Sequence, residues 1–276
     1  MRLINNLDIQ AFHPEEVLVL IRHGVDVSVL DNNLNQPLTE QTKPDIRLLG
    51  KQLIWLCESL GVTNICLRHS NRLRAIQTTA IIAEEFFDAN LLVEMVETIG
   101  VREIYQGDFV VRNHAHGTDY RPLVDAWDAW QAKLNACELC YRFGDPVSLQ
   151  NGGYEFPELV GWFNKFGENQ GEFSLRLYQT LFDTLSSDPN KLQVLVGHQA
   201  SCSRIQRILS STSKLSNKSA FEAGEFVRFI EKSGTRISID HACGVVVKKP
   251  RRDLILSVLE KEINFLNSNT WHEVVL

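Results

Sequence analysis

The sequence predicts an α/β domain on an open, mostly parallel sheet, and three observations predict it. Short apolar runs recur, at Val17 to Ile21, at Asn64 to Leu67 and at Leu192 to Gly197, each the length of a strand buried on both faces. Between them lie longer stretches whose apolar residues fall at helical spacing, such as Ile46, Leu49, Leu53, Leu56 and Leu60. Each run ends in polar residues: Arg22-His23-Gly24, Arg68-His69-Ser70-Asn71, and His198. In open α/β sheets ligands sit outside the carboxyl ends of the strands, which is where these residues would lie.

The first strand, Val17 to Ile21, is bounded by Glu16 and Arg22. The Asp- and Asn-rich segment 27–36 reads as a loop, Thr39 as a helix N-cap, and Pro44 as a break near that helix's start. Gly61 stops the helix. After the second strand, Ser70 or Asn71 caps a helix running through Leu73, Ile76 and Ala83 towards Phe87, with Arg74 in its first turn. A cation there opposes the helix dipole unless an anion binds at that terminus. Leu91 to Val93 is a third strand, and 101–109 is an irregular segment carrying Glu103 among apolar neighbours.

Residues 110–170 differ in character. Two helical patterns bearing Trp127, Trp130 and Trp162 flank a Gly-rich loop, which reads as an insertion over the sheet, either a lid or a helical pair closing the core. A helix from Gly171 to about Leu185, the strand at 192–197, a helix through Ile205 and Leu209, edge strands at 226–230 and 236–239, and an amphipathic helix from Asp253 to Phe265 complete the chain. The organisation expected is one domain over 1–276, with 110–170 inserted and 250–276 as a carboxyl-terminal helical extension.

A chain of 276 residues with 44% hydrophobic and 22% charged content can bury a sizeable core. Its net charge of −6 argues against a nucleic-acid surface, so an anion must be held by a local Arg and His cluster, and a small anionic ligand is expected. No stretch approaches a membrane span and the amino terminus lacks a signal-peptide core, from which a cytoplasmic protein is expected. Six scattered cysteines read as free thiols. Neither Cys137-Glu-Leu-Cys140 nor the pair His114 and His116 has further ligands at usable spacing, so no metal is expected. The amphipathic last helix packs on its own domain or on a partner, leaving a homodimer open.

Taken in order, LIRHG, PLTE before a helix, HSNRLRAIQTTAIIAE, REIYQGDF, GEF before a helix and VLVGHQA resemble the histidine phosphatase superfamily, also called the phosphoglycerate mutase-like family. The likeness covers most of the chain outside 110–170 and the last ~35 residues. It implies a three-layer α/β/α fold, a phosphohistidine intermediate, no cofactor, and a small-molecule phosphomonoester as substrate. His23 would be the nucleophile, Arg22 and Arg74 would bind phosphoryl oxygens, a cationic His198 would complete the pocket, and Glu103 would protonate the leaving oxygen, with Glu97 the alternative for that role. The family often follows its first motif with Glu or Gln, then Thr, and an Asn six residues past the nucleophile; here stand Val25, Asp26 and Val29. The mutase's substrate-binding Tyr-Gly run and Lys are absent from DFVVRNH, so hydrolysis fits better than transfer between hydroxyls, with a phosphomutase or a catalytically silent phosphate-binding scaffold as the alternatives. Asp26 would repel a phosphate unless it points away or pairs with a cation.

Overall fold

The computed structural model describes residues 3–4, 13–27, 36–102, 170–212, 239–248 and 252–268. Six strands form one sheet: β1 (Leu3–Ile4), β2 (Val17–Arg22), β3 (Asn64–His69), β4 (Leu92–Glu97), β5 (Lys191–Gly197) and β6 (Cys243–Lys248), in the order β1-β6-β2-β5-β3-β4. The four strands β2, β5, β3 and β4 run parallel, and β6 lies antiparallel against β2.

The alternation of a pleated strand explains the layers. Val17, Val19 and Ile21 face one core together with Leu192, Val194 and Val196, whereas Leu18, Leu20 and Leu195 face the other. The first core is closed by α1 (Lys43–Leu60) and α2 (Leu73–Asp88). The second is closed by α3 (Gln170–Ser186), α4 (Gln199–Thr212) and α5 (Arg252–Ser268), which contributes Ile255, Val258 and Leu259. The architecture is the expected three-layer α/β/α sandwich. The carboxyl-terminal helix is thereby part of a layer, packed on its own domain.

Several element boundaries differ from the sequence reading for local reasons. Pro44 stands within the first turn of α1, where no amide hydrogen is needed, so it does not break the helix. Thr39 precedes a single 3-10 turn, Glu40–Thr42, ahead of α1 and makes no side-chain cap. Gly61 does end α1, at φ 66°. Ser70 accepts the Arg72 amide through Oγ at 3.2 Å, so it serves the start of α2 from two residues upstream. The third strand runs to Glu97, beyond the expected Val93, because an edge strand tolerates Glu94 and Met95 facing outward. Strands β1 and β6 were not expected. Of the edge strands expected at 226–230 and 236–239, all but Ile239 lie outside the described residues, and Ile239 is not in a strand. The insertion 110–170 also lies outside them, apart from Gln170, as do Glu103, Cys137 and Cys140. Cys57, Cys66, Cys202 and Cys243 are free thiols. Among the described residues no helix is long and apolar enough to cross a membrane.

Candidate active site

The carboxyl ends of β2, β3 and β5 lie side by side and each delivers a polar group to one rim. His23 leaves β2 with its amide donating to the Gly197 carbonyl at 3.0 Å, and His198 follows β5. Their rings stand 4.8 Å apart, centroid to centroid. His23 Nδ1 lies 2.6 Å from the Gly24 carbonyl, which can only accept, so Nδ1 carries the proton and Nε2 presents its lone pair. Arg74, in the first turn of α2, donates Nε–H to that Nε2 at 3.1 Å. Burial and then the Arg74 charge push the His23 pKa down to about 3. The imidazole is therefore neutral across the physiological range.

The same guanidinium ties the rim together. Its Nη2 lies 3.3 Å from His198 Nδ1, which must accept, so Nε2 holds the proton facing Ser70 Oγ at 2.8 Å. Burial, then the neighbouring His23 and Arg74, push the His198 pKa down to about 2. Fully buried among Arg22, Arg72 and Arg74, the His198 ring is held neutral by the protein's own groups; the cationic state was expected beside a bound phosphate, whose charge would act in the opposite sense. Asp26 pairs with Arg74 Nη1 at 3.4 Å, so of the two alternatives open to this carboxylate the chain adopts pairing.

Arg22 is held by backbone and amide acceptors. Its Nη1 donates to the Ile239 carbonyl at 3.1 Å and to Gln199 Oε1 at 3.4 Å, while Gln199 Oε1 also takes the Ile239 amide. Its Nε–H is buried without a partner among the described residues. A buried donor without a partner, on a guanidinium whose charge acts on both His23 and His198, is a natural contact for an anion.

Four predicted residues, Arg22, His23, Arg74 and His198, are brought together. Glu103 lies outside the described residues, and Glu97 stands exposed at the end of the edge strand β4, beyond β3. The smallness of Gly24 has a packing reason. A Cβ there would meet Ile46 Cδ1 at 2.7 Å and Thr42 Oγ1 at 2.8 Å, so its smallness seats β2 against α1. Two site residues were missed by the sequence reading. Gln199 braces Arg22, and His241 brings its ring within 5.3 Å of the His23 ring, edge to face. The Gln directly after His198 was a legible signal; His241 precedes an unexpected strand and gave none.

No family model matches the chain, and no curated protein matches it. Solved structures do. A candidate alpha-ribazole-5'-P phosphatase from Escherichia coli superposes with a TM-score of 0.51 at 17% identity, over 86% of this chain and 91% of that one. A mycobacterial glucosyl-3-phosphoglycerate phosphatase (16% identity, TM-score 0.44, 84% and 92% covered) and a phosphoglycerate mutase from Bacillus anthracis (18%, 0.43, 88% and 96%) are more distant in shape. With the first of these likenesses added to the ordered sheet and the rim of Arg and His, the chain has the fold of the histidine phosphatase superfamily.

Proposed function

We propose that the protein is a metal-independent phosphomonoester hydrolase that works through a phosphohistidine on His23. The observation that carries this reading is the state of His23: neutral, with Nδ1–H fixed on the Gly24 carbonyl and the Nε2 lone pair directed at Arg74, among cations with room for an anion's charge. A nitrogen nucleophile needs that tautomer and that neutrality.

The substrate phosphoryl group takes the place that Nε2 and the Arg74 edge now share. Arg74 moves its Nε–H and Nη2–H from the two imidazoles to phosphoryl oxygens, and Asp26 keeps hold of Nη1. Arg22 Nε–H supplies a further donor. The His23 Nε2–phosphorus bond forms as the phosphorus–oxygen bond to the leaving group breaks, and Glu103 gives its proton to that oxygen. Water then attacks phosphorus, Glu103 takes a proton from it, the N–P bond breaks, and inorganic phosphate leaves. Catalysis rests on position and on charges aimed at the transferring group. The Escherichia coli structure is that of a candidate alpha-ribazole-5'-P phosphatase, a name that fits the phosphomonoester class proposed here.

The test is phosphate release from an aryl phosphate, with chelator present, by the parent and by His23→Ala. Turnover in the parent and its loss by several orders of magnitude in the variant is the expected result. Equal turnover in both, or turnover abolished by the chelator, would overturn the reading.

A further inference from the structure

His241 stands at the rim for reasons that lie in its backbone. The turn from Asp240 to Cys243 leads into β6, with the Cys243 amide donating to the Asp240 carbonyl at 3.2 Å. Within it Ala242 has φ 54°, the left-handed region, which costs an L-residue with a Cβ about 1–2 kcal/mol. A glycine would remove that cost, yet the alanine is buried and its amide donates to the His23 carbonyl at 3.1 Å. The turn is therefore clamped onto the backbone of the proposed nucleophile. The residue it displays, half-buried and with its ring edge to face with that of His23, is His241.

The charges around the ring say what it could take. Burial and the Arg22 guanidinium press its pKa below the ordinary value, Arg74 adds to this, and Asp26 and Asp240 oppose it. Arg74 and Asp26 are also the ion pair beside His23, so the His241 ring, 5.3 Å from the His23 ring, is under the same charges as the nucleophilic nitrogen. A neutral imidazole there keeps one N–H to give and, once a dianion balances Arg22 and Arg74, regains a second.

Resting on the phosphatase reading above, we propose that His241 is a phosphoryl-binding residue, donating a ring N–H to an oxygen of the group bound at His23. The pocket then presents imidazoles from both flanks of the nucleophile, His198 from β5 and His241 from the turn before β6.

The probe is inorganic phosphate, titrated calorimetrically near neutral pH into the full chain and its His241→Ala and His241→Gln variants, with aryl phosphate turnover measured on the same samples. Loss of one charge-assisted hydrogen bond predicts phosphate affinity weakened by about 10- to 100-fold in His241→Ala. His241→Gln, which keeps an N–H donor, recovers most of that affinity. Parent-like affinity in His241→Ala overturns the proposal, and so does a Gln variant as weak as Ala, which would mark a structural role. A parent that binds phosphate without turnover sinks the hydrolase reading and leaves the comparison of variants decisive for His241. A parent that binds none sinks both.

Discussion

The two halves of the sheet bring chemistry to the rim by opposite ends. In the parallel half, β2, β3 and β5 place their carboxyl-terminal residues there, and His23, Ser70 and His198 follow directly from strands. Strand β6 runs the other way, with Arg22 in register with Cys243, so the residues that precede it, Asp240 to Ala242, reach the same rim. An antiparallel strand beside parallel ones delivers its amino-terminal turn where its neighbours deliver their exits. A rule that searches only strand exits finds half of such a rim.

Arg74 separates the halves most sharply, since it contacts both histidines of the parallel half, whereas on His241 it acts only through its charge. Arg74→Ala is expected to lower kcat/KM for an aryl phosphate by about 10²- to 10³-fold, as removal of a preorganised donor does. That is a larger loss than His241→Ala should give. Equal losses would mean that the two halves share the phosphoryl group evenly.

Acid should act through the parallel half as well. His23 and His198 have folded pKa values of about 3 and about 2 against 6.5 in the unfolded chain, so below 6.5 the unfolded state binds protons that the folded state refuses. The stability they contribute is whole above pH 6.5 and is lost as pH falls towards 3, at up to about 1.4 kcal/mol per pH unit for each ring. Denaturant unfolding of the phosphate-free protein between pH 7 and 4 should show that decline, and His198→Gln should make it shallower. A stability flat with pH would contradict the neutral histidines.

The smallest effect concerns Gly24, which belongs to the packing of the parallel half. Gly24→Ala should cost about 1–3 kcal/mol of stability, because the new methyl would press on Ile46 and Thr42. Chemical denaturation measures it. No loss would mean that α1 yields freely, and the fixed seat of β2 would be in doubt.

How much was legible follows the same division. Strands β2, β3 and β5 are apolar runs buried on both faces, and their exits carry Arg22, His23 and His198 in plain view. Arg74 was readable as a cation on the wrong end of a helix dipole, an oddity that the pairing with Asp26 and the two imidazoles now accounts for. Strand β6 was not legible, since Gly244 to Val247 sits next to a basic run and its pairing with β2 joins residues more than two hundred apart. His241 went unread with it. The pairing of Asp26 was left open because repulsion from a ligand and attraction to Arg74 depend on a distance that no spacing encodes.

The most direct test of the central claim is to trap the intermediate. Rapid acid-free quenching of the parent protein during turnover of an aryl phosphate, followed by peptide mass spectrometry, should place a phosphoryl group on His23. Label on another residue, or turnover with no label on any histidine, would contradict the account.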